Sequence, residues 1–433
     1  MKLGVLFSGG KDSVFACRRA MEKNQVACLI TLVSENPDSY MFHTPNIRRT
    51  DLQAEAIGIP RLAWPTEGRK EEELADLSAA VAAARDKYGI RGIVAGAIES
   101  VYQAARVQRI CRDLDLWCYN PLWQTNQIDY LRRLLKEDFS IIISGIYAYP
   151  FDSSWLGAQL TEERIQMLER LQQKSRINPS GEGGELETFV LDGPFFQKRI
   201  EIMKASQSYA HYRGQFVIEE MRLVEKQVRE MRAEMEGEGQ NPTGMVHNRQ
   251  CILLVDLCFE KDSLSQYEFV HPIRDTLQKL GFSCSILHYT EVKSQALAGH
   301  DKIVLCGTAL KDNAYAEQLQ AFSWIKDFEK PILGICAGMQ VISAVYGGAI
   351  VPHPAIGLEK IEIVGGSPLL GEPRCIEGYH LHNYAVTLPN EFLLLAGRRD
   401  APEAFLHRTL PIYGILFHPE VRNRWILERF SNL

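Results

Sequence analysis

Short apolar runs alternate with longer amphipathic stretches over residues 1–145. The runs occupy residues 3–7, 26–33, 92–97 and 140–145, and apolar residues recur at helical spacing between them. Strands that alternate with helices predict a parallel sheet with crossover helices, which is a doubly wound α/β fold. Ligands of such sheets bind beyond the carboxyl ends of the strands. We therefore expect a site in the loops that follow these runs.

A change of composition at residues 227–249 predicts a domain boundary. Before it, residues 151–226 are less regular, with one predicted helix over 161–174. The boundary segment itself holds a charged helical pattern and then a run rich in glycine that contains proline. Such a segment is either a solvated linker or a helix that docks one domain on the other. We expect a first domain over 1–226 and a second over 250–433.

The second domain repeats the alternation of strands and helices. Apolar runs at residues 251–258, 284–289, 302–306, 331–335 and 412–417 predict its strands. The two halves share no motif, so an internal duplication is not indicated. The chain is therefore expected to join two different α/β domains.

Composition narrows the classes of function. The 433 residues are 46% hydrophobic and 24% charged, with a formal net charge of −6. No apolar run approaches the roughly 20 residues of a membrane helix, so we expect a cytoplasmic protein that does not bind membranes. The acidic balance argues against direct nucleic-acid binding. The ten cysteines form no Cys-x-x-Cys pair, which favours reduced thiols and predicts no dedicated metal site.

A glycine-containing loop follows the first predicted strand and precedes a helix. Glycines allow a close approach of the backbone to a ligand, and a helix start offers free N–H groups and a positive dipole end. These features predict an oxyanion site. The loop residues are Ser8, Gly9, Gly10, Lys11, Asp12 and Ser13.

An acidic turn and an aromatic segment are the other candidates in the first domain. Residues 181–189 read Gly-Glu-Gly-Gly-Glu-Leu-Glu-Thr-Phe, and such clustered carboxylates favour a nearby cation. Magnesium on ATP phosphates or a trimethylammonium group would serve. Residues 40–43 read Tyr-Met-Phe-His, and aromatic rings attract quaternary ammonium ions. The alternatives are a solvated acidic turn and an ordinary core segment.

The Ser-Gly-Gly-Lys-Asp-Ser loop resembles the pyrophosphate loop of the N-type ATP pyrophosphatases. Residues 33–36, 39–43, 154–157 and above all 181–189 resemble the diphthine-ammonia ligase family. This resemblance implies a PP-loop fold of the adenine nucleotide alpha hydrolase type, use of ATP with Mg²⁺, and an acyl-AMP formed on diphthine of translation elongation factor 2. It places at the acceptor or Mg²⁺ site the residues Glu35, Tyr40, His43, Glu182, Gly183, Gly184, Glu185, Glu187 and Thr188. One departure is Ala104, where the family usually has a basic residue.

The second domain holds a cysteine on a strand-to-helix elbow. The run 331–335 ends in Gly-Ile-Cys-Ala-Gly and a helix follows, so Cys336 projects at a helix start that favours the thiolate. A later Phe-His-Pro-Glu segment supplies His418 as a base and Glu420 to orient it. These three residues predict nucleophilic catalysis by a cysteine.

Residues 250–433 resemble a class I glutamine amidotransferase domain. The resemblance implies that Cys336 attacks the side-chain amide of glutamine, that the N–H groups of Gly307 and Ala337 hold the oxyanion, and that Gln340 contacts the substrate. Thr308 and Leu416 depart from the usual residues. His380 and His382 are a close pair, interpreted as structural histidines in preference to metal ligands.

Each predicted site supplies what the other lacks, because an acyl-AMP needs unprotonated ammonia and a glutaminase delivers it. The sequence therefore predicts glutamine-dependent, ATP-dependent amidation, with elongation factor 2 carrying diphthine as the partner. A small metabolite carboxylate is an alternative acceptor. In a third interpretation one domain is catalytically silent and senses nucleotide or glutamine. The sequence gives no prediction of the oligomeric state.

Overall fold

The computed structural model describes residues 1–34, 46–69, 72–226 and 250–433. The predicted linker 227–249 and the candidate residues Glu35, Tyr40 and His43 lie outside these ranges. Within them no helix is long and apolar enough to cross a membrane.

The first domain contains two sheets with helices between their strands. Its strands are β1 (Lys2–Leu6), β2 (Gln25–Ser34), β3 (Arg61–Thr66), β4 (Gly92–Val94), β5 (Trp117–Tyr119), β6 (Ser140–Ile146), β7 (Leu186–Asp192), β8 (Lys198–Ala210) and β9 (Arg213–Glu225). Its helices are α1 (Lys11–Met21), α2 (Thr50–Ile57), α3 (Glu72–Tyr88), α4 (Val101–Asp113), α5 (Gln127–Lys136) and α6 (Glu162–Ser175). Short 3₁₀ segments lie at Ile47–Arg49 and Ser153–Trp155.

The predicted parallel sheet is confirmed, with the strand order β3-β2-β1-β4-β5. Strand β1 lies in the centre and pairs in parallel with β2 and with β4. The chain leaves β1 at the point where the strand order reverses, where a crevice opens beyond the carboxyl ends. The loop that follows β1 is therefore placed at the ligand-binding edge of the sheet.

The apolar run at 140–145 does not belong to the parallel sheet, so that part of the prediction is wrong. Strand β6 lies in an antiparallel sheet of order β7-β6-β9-β8. Residues 141–146 are all buried, so the run shows no alternation and looks like a strand of a parallel sheet. The far ends of β8 and β9 form a two-stranded ribbon whose residues 206–213 are exposed.

The second domain is built on a mixed sheet of nine strands. Its strands are β10 (Cys251–Asp256), β11 (Ser283–His288), β12 (Lys302–Leu305), β13 (Ile332–Ile335), β14 (Ile350–Ile363), β15 (Arg374–Val386), β16 (Phe392–Arg398), β17 (Ala401–His407) and β18 (Ile412–Ile415). Its helices are α7 (Gln266–Phe269), α8 (His271–Lys279), α9 (Ser294–Ala298), α10 (Ala337–Val345) and α11 (Trp425–Ser431), with 3₁₀ segments at Tyr289–Glu291 and Ala314–Lys326.

The order of this sheet is β11-β10-β12-β13-β18-β17-β16-β14-β15. The first five strands are parallel and match the five predicted runs. The antiparallel strands were not predicted, because their half-exposed residues dilute the apolar signal. Strands β14 and β15 form a long hairpin that packs against α4 of the first domain through Ile356, Tyr379 and Leu381.

Candidate active sites

The loop between β1 and α1 is held in a fixed shape by its own serines and by a distant threonine. Gly9 has a φ of +77°, a conformation that favours glycine. The backbone N–H of Ser8 donates to Ser13 Oγ over 3.2 Å, and the Lys11 N–H donates to Thr188 Oγ1 over 3.1 Å. Thr188 belongs to the predicted acidic segment, so the structure brings these two sequence motifs together.

Lys11 is the buried cation of this loop, with only 2% of its surface exposed. Its Nζ lies 2.9 Å from Asp12 Oδ2 and also donates to the carbonyl of Ser180. The other oxygen of Asp12 accepts a hydrogen bond from Tyr130 over 2.9 Å. Neighbouring protein groups therefore hold both charges in place at the floor of the site.

A cavity of about 320 Å³ opens over this loop. Its apolar wall includes Ile30, Leu32, Leu77 and Val107, which suits a flat heterocycle. Among the predicted residues, its lining includes Ser8, Gly10, Lys11, Asp12, Ser13, Glu182, Gly183, Gly184, Glu187 and Thr188. Gly9 lies behind the wall, where its carbonyl accepts a hydrogen bond from Gln53 over 2.9 Å.

The three predicted glutamates of the acidic turn have different surroundings. Glu182 Oε1 accepts the N–H groups of Ile98, Glu99 and Ser100 over 2.9–3.0 Å. Ser100 is the N-cap of α4, so Glu182 fastens the acidic turn to the start of that helix. Burial and the charge of Asp12 raise the pKa of Glu182 in spite of these hydrogen bonds.

Glu187 lines the cavity, whereas Glu185 does not. Burial raises the pKa of Glu187 to about 7, with Lys11 opposing the change and Asp12 adding to it. Glu185 is not among the cavity-lining residues; its Oε1 accepts the N–H of Asn178 over 3.1 Å. The structure therefore brings Glu182 and Glu187 to the cavity and leaves Glu185 outside its lining.

The predicted elbow places Cys336 between β13 and α10. Its φ of 51° and ψ of −107° are unusual for a residue with a side chain, and its surface is 3% exposed. The thiol donates to the carbonyl of Leu381, 3.6 Å from Sγ. The strained turn holds the sulfur at the start of a helix, where N–H groups have no acceptor within the helix.

His418 and Glu420 form the predicted buried pair. His418 Nδ1 lies 2.7 Å from Glu420 Oε1, and both side chains are almost fully buried. Nε2 of His418 has no hydrogen-bond partner in the described part of the chain. Burial lowers the pKa of His418, but Glu420 and Cys336 raise it more, so the pKa lies above its ordinary value. Glu420 therefore supports a positive charge on the imidazole, and Nε2 is the nitrogen left to interact with Cys336.

Gly307 lies against both reacting side chains. A methyl group added there would come within 2.7 Å of His418 Cε1 and 3.6 Å of Cys336 Cβ, so only glycine fits. Ala337 is the first residue of α10. Thr308, which departs from the family pattern, donates to Asp312 Oδ2 over 2.5 Å. That hydrogen bond orders the turn after Gly307.

Gln340 lies in a cleft beside Cys336. Its Nε2 donates to the carbonyl of Tyr384 over 2.9 Å, and its Oε1 accepts a hydrogen bond from Tyr315. The cleft measures only about 10 Å³, which is close to the space of one water molecule. Entry of a glutamine side chain therefore requires the lining to move, and contact of Gln340 with that substrate stays a prediction.

The histidine pair lies beside the same cleft. His380 Nδ1 and His382 Nε2 are 3.1 Å apart, and His382 Nδ1 lies 3.0 Å from the carbonyl of His353. Burial lowers the pKa of His380 to about 4 and that of His382 to about 3, so both are neutral at pH 7. His382 lines the cleft.

Between the two sites lies a buried apolar cluster that was not predicted. It is formed by Ala97, Ala104, Ala105 and Trp123 of the first domain with Phe269, Ala309, Leu310, Ile356, Tyr379 and Leu381 of the second. Ala104, the departure from the family pattern, is fully buried there. A basic side chain at this position would have no space, so the substitution fits the contact between the domains.

Known protein families match nearly the whole chain. The family described as "Diphthamide synthase N-terminal domain" matches residues 1–117, "Diphthamide synthase C-terminal domain" matches 126–224, and "Glutamine amidotransferase class-I" matches 263–425.

Individual relatives match each half. Diphthine–ammonia ligase of Rattus norvegicus is 33% identical over 269 residues, which cover 57% of this chain and 100% of the relative. A glutamine-hydrolysing GMP synthase subunit of Thermoplasma acidophilum is 32% identical over 162 residues, which cover 36% of this chain and 80% of the relative.

Among solved structures, a putative GMP synthase subunit from Thermoplasma acidophilum covers 43% of this chain and 94% of its own, with 30% identity and a TM-score of 0.39. The fold is a PP-loop domain followed by a class I glutamine amidotransferase domain. On these family and sequence matches, the chain belongs to the diphthine–ammonia ligase family and carries a glutamine amidotransferase domain in its second half.

Proposed function

We propose that this protein amidates a carboxylate with ATP and with ammonia taken from glutamine, and that the carboxylate is diphthine on translation elongation factor 2. The carboxylate attacks the α-phosphorus of ATP and displaces pyrophosphate, which leaves an acyl-AMP. Ammonia then attacks the acyl carbon, and AMP and a proton leave. In the second domain glutamine and water give glutamate and the ammonia.

The cavity over the β1 loop supports the first half of this reaction. Lys11 and the N–H groups at the start of α1 suit a pyrophosphate, and the apolar wall suits adenine. Asp12, Glu182 and Glu187 line the same cavity and offer carboxylate oxygens, the ligands that Mg²⁺ prefers. A Mg²⁺ ion held there would offset the charge of the ATP phosphates.

The buried Cys336, His418 and Glu420 support the second half. His418 takes the thiol proton, the thiolate attacks the amide carbon of glutamine, and the proton passes to the departing ammonia. Water then hydrolyses the thioester. Domains 1–226 and 250–433 would thus each carry one active site. The N–H groups of Gly307 and Ala337 would hold the oxyanion, a type of contact worth about 3 kcal/mol or more in similar sites.

The observation that carries the proposal is the cluster between the domains. Ala97 belongs both to this cluster and to the wall of the phosphate cavity. Leu381 belongs both to the cluster and to the cleft of Cys336. The apolar cluster therefore borders both sites, and ammonia that passed between them through the contact would stay unprotonated and reach the acyl-AMP at a high effective concentration.

A protein acceptor is favoured by the surface beside the phosphate cavity. Tyr149 is 64% exposed and Tyr212 is 44% exposed, with ring centroids 5.0 Å apart. Strand β6, which ends at Ile146 just before Tyr149, pairs there with Leu186 of the cavity wall. Exposed aromatic rings of this kind are typical of protein-binding surfaces. A small metabolite acid would leave them without a role.

The test compares nitrogen donors and acceptors in one assay of AMP formation. Elongation factor 2 carrying diphthine is added or withheld, with glutamine or ammonium chloride as donor. We expect AMP only when the factor is present, from either donor. Cys336→Ala should remove the glutamine-driven reaction and keep the ammonium-driven one, and Cys375→Ala, at an exposed cysteine, is its matched control.

Two results would contradict the proposal. AMP formation that does not depend on the elongation factor would point to a small acceptor. Loss of the ammonium-driven reaction in a folded Cys336→Ala variant would show that the two domains do not divide the chemistry as proposed.

A further inference from the structure

A buried carboxylate of the second domain is hydrogen-bonded by the first. Glu268 lies in α7 and is 2% exposed. Its Oε1 accepts hydrogen bonds from Gln108 Nε2 over 3.0 Å and Asn120 Nδ2 over 3.1 Å, and its Oε2 accepts the Asn120 N–H over 3.3 Å. A buried charge without a countercharge is costly, so its presence in the contact between domains needs an explanation.

Other buried polar groups near Glu268 have no partner. Among the described residues, Asn120 Oδ1 and the Tyr379 hydroxyl are buried and make no hydrogen bond. Asn120 is hydrogen-bonded to Glu268, and the charge of Glu268 contributes to the raised pKa of Tyr379. Orphan polar atoms are rare in protein interiors, and two of them in the same contact indicate a place where a small polar ligand binds.

These groups lie between the two active sites. The Phe269 ring, next to Glu268 in the chain, has its centroid 5.7 Å from that of His418. Tyr379 has its ring centroid 6.1 Å from His418 and 6.1 Å from Trp123. On the other side Gln108 follows Val107, which lines the phosphate cavity. The polar group therefore lies between aromatic residues that pack near His418 and a residue next to the wall of the phosphate cavity.

We propose that Glu268, Asn120 and Tyr379 bind ammonia in transit from the glutaminase site to the phosphate cavity. The inference rests on the proposed glutamine-dependent function. The carboxylate and Asn120 Oδ1 accept N–H hydrogen bonds, and the Tyr379 hydroxyl donates to the nitrogen lone pair. Tyr379 itself belongs to the apolar cluster between the domains, which limits the access of water to these groups.

A purely structural role for Glu268 leads to different expectations. In that case the carboxylate only ties the domains together through Asn120 and Gln108, and its loss would weaken every activity that needs the contact. The Tyr379 hydroxyl would have no role at all, because it has no partner to lose among the described residues. The two variants Glu268→Gln and Tyr379→Phe therefore separate the explanations.

The experiment measures AMP formed for each glutamate released, in the full-length protein with ATP, glutamine as donor and elongation factor 2 carrying diphthine as acceptor. Wild type should form the two in nearly equal amounts. We expect Glu268→Gln and Tyr379→Phe each to lower this ratio at least about threefold, because ammonia escapes before it reaches the acyl-AMP. Glutamate release and AMP formation from added ammonium chloride should stay near the wild-type rates.

The control is Lys311→Ala, which removes a half-exposed ion pair between the domains. Lys311 Nζ lies 2.7 Å from Asp115 Oδ1 at the edge of the contact. The Lys311→Ala variant should form as much AMP for each glutamate released as wild type does. An unchanged ratio in both Glu268→Gln and Tyr379→Phe overturns the inference, and so does an equal fall in Lys311→Ala. A wild-type protein that makes AMP from ammonium but no glutamate would instead show that the proposed function itself is wrong.

Discussion

His418 Nδ1 and Glu420 Oε1 are 2.7 Å apart in a setting from which water is almost excluded. Because the pair is buried, the carboxylate both fixes the orientation of the ring and supports a positive charge on it. Because Nδ1 is held by Glu420, Nε2 is the ring nitrogen that faces the Cys336 thiol. Glutamine hydrolysis should depend on this single contact.

Replacing Glu420 by glutamine should slow glutamate release by about 10²- to 10⁴-fold, as expected when a catalytic histidine loses its orienting carboxylate. AMP formation from ammonium should not change. Steady-state measurement of both products checks this. Glu428→Gln, at an exposed position of α11, is the control, and a rate close to wild type in Glu420→Gln would show that Glu420 has no role in the chemistry.

Lys11→Met should reduce AMP and pyrophosphate formation by at least about 10²-fold, because a cation in the phosphate loop would stabilise the charge that develops on the departing pyrophosphate. Basal glutaminase activity should remain. Pyrophosphate release is the direct measurement, and Lys198→Met, at a half-exposed position of β8, serves as the control. Unchanged pyrophosphate release in the Lys11 variant would place ATP elsewhere.

Ala104→Lys should destabilise the protein by about 3 kcal/mol or more, because it brings both excess volume and an unpaired charge into a full interface. Ala79→Lys, on an exposed face of α3, should change the free energy of unfolding by less than about 0.5 kcal/mol. Denaturant unfolding followed by fluorescence compares the two. Equal stability of both variants would contradict the burial of Ala104.

Glu268 should make stability depend on pH. Burial raises the pKa of Glu268 from 4.5 to about 7, although Asn120, His418 and Gln108 lower it in part. Because the folded pKa is the higher one, the stabilising contribution is complete below pH 4.5 and is lost as the pH rises through 7. Between acidic and mildly alkaline pH, the free energy of unfolding of wild type should therefore fall by at most roughly 3 kcal/mol more than that of Glu268→Gln.

Unfolding curves of both proteins at about pH 5 and about pH 8 measure this difference. His418, Tyr379 and Cys118 are titratable groups that interact with the charge of Glu268, and they are the same in both proteins. A difference that does not vary with pH would mean that Glu268 stays ionised in the folded state.

The sequence predicts well those features that depend on neighbours along the chain. The phosphate loop and the cysteine elbow each consist of a strand, a short turn and a helix, so the residue order alone defines their geometry. The pair His418 and Glu420 is equally local. These parts of both sites are found where the motifs place them.

Features that depend on contacts between distant segments could not be predicted. Strand β6 is buried on both faces, and its pattern does not distinguish an antiparallel partner from a parallel one. Glu182 was expected to face a cation, whereas one of its oxygens binds the start of α4, some 80 residues earlier in the chain. Ala104 was interpreted as a missing contact because nothing in a single sequence marks a helix face that a second domain covers.

The contact between the domains also affects whether the two halves of the chain stay in solution when they are expressed separately. Tyr379, Leu381 and Ile356 of the β14–β15 hairpin are buried by residues of the other half. A separated second domain would present these side chains to solvent on a long two-stranded surface, a known cause of self-association. Expression of the halves as independent fragments is therefore expected to give aggregation, whereas their co-expression should let each half shield the other.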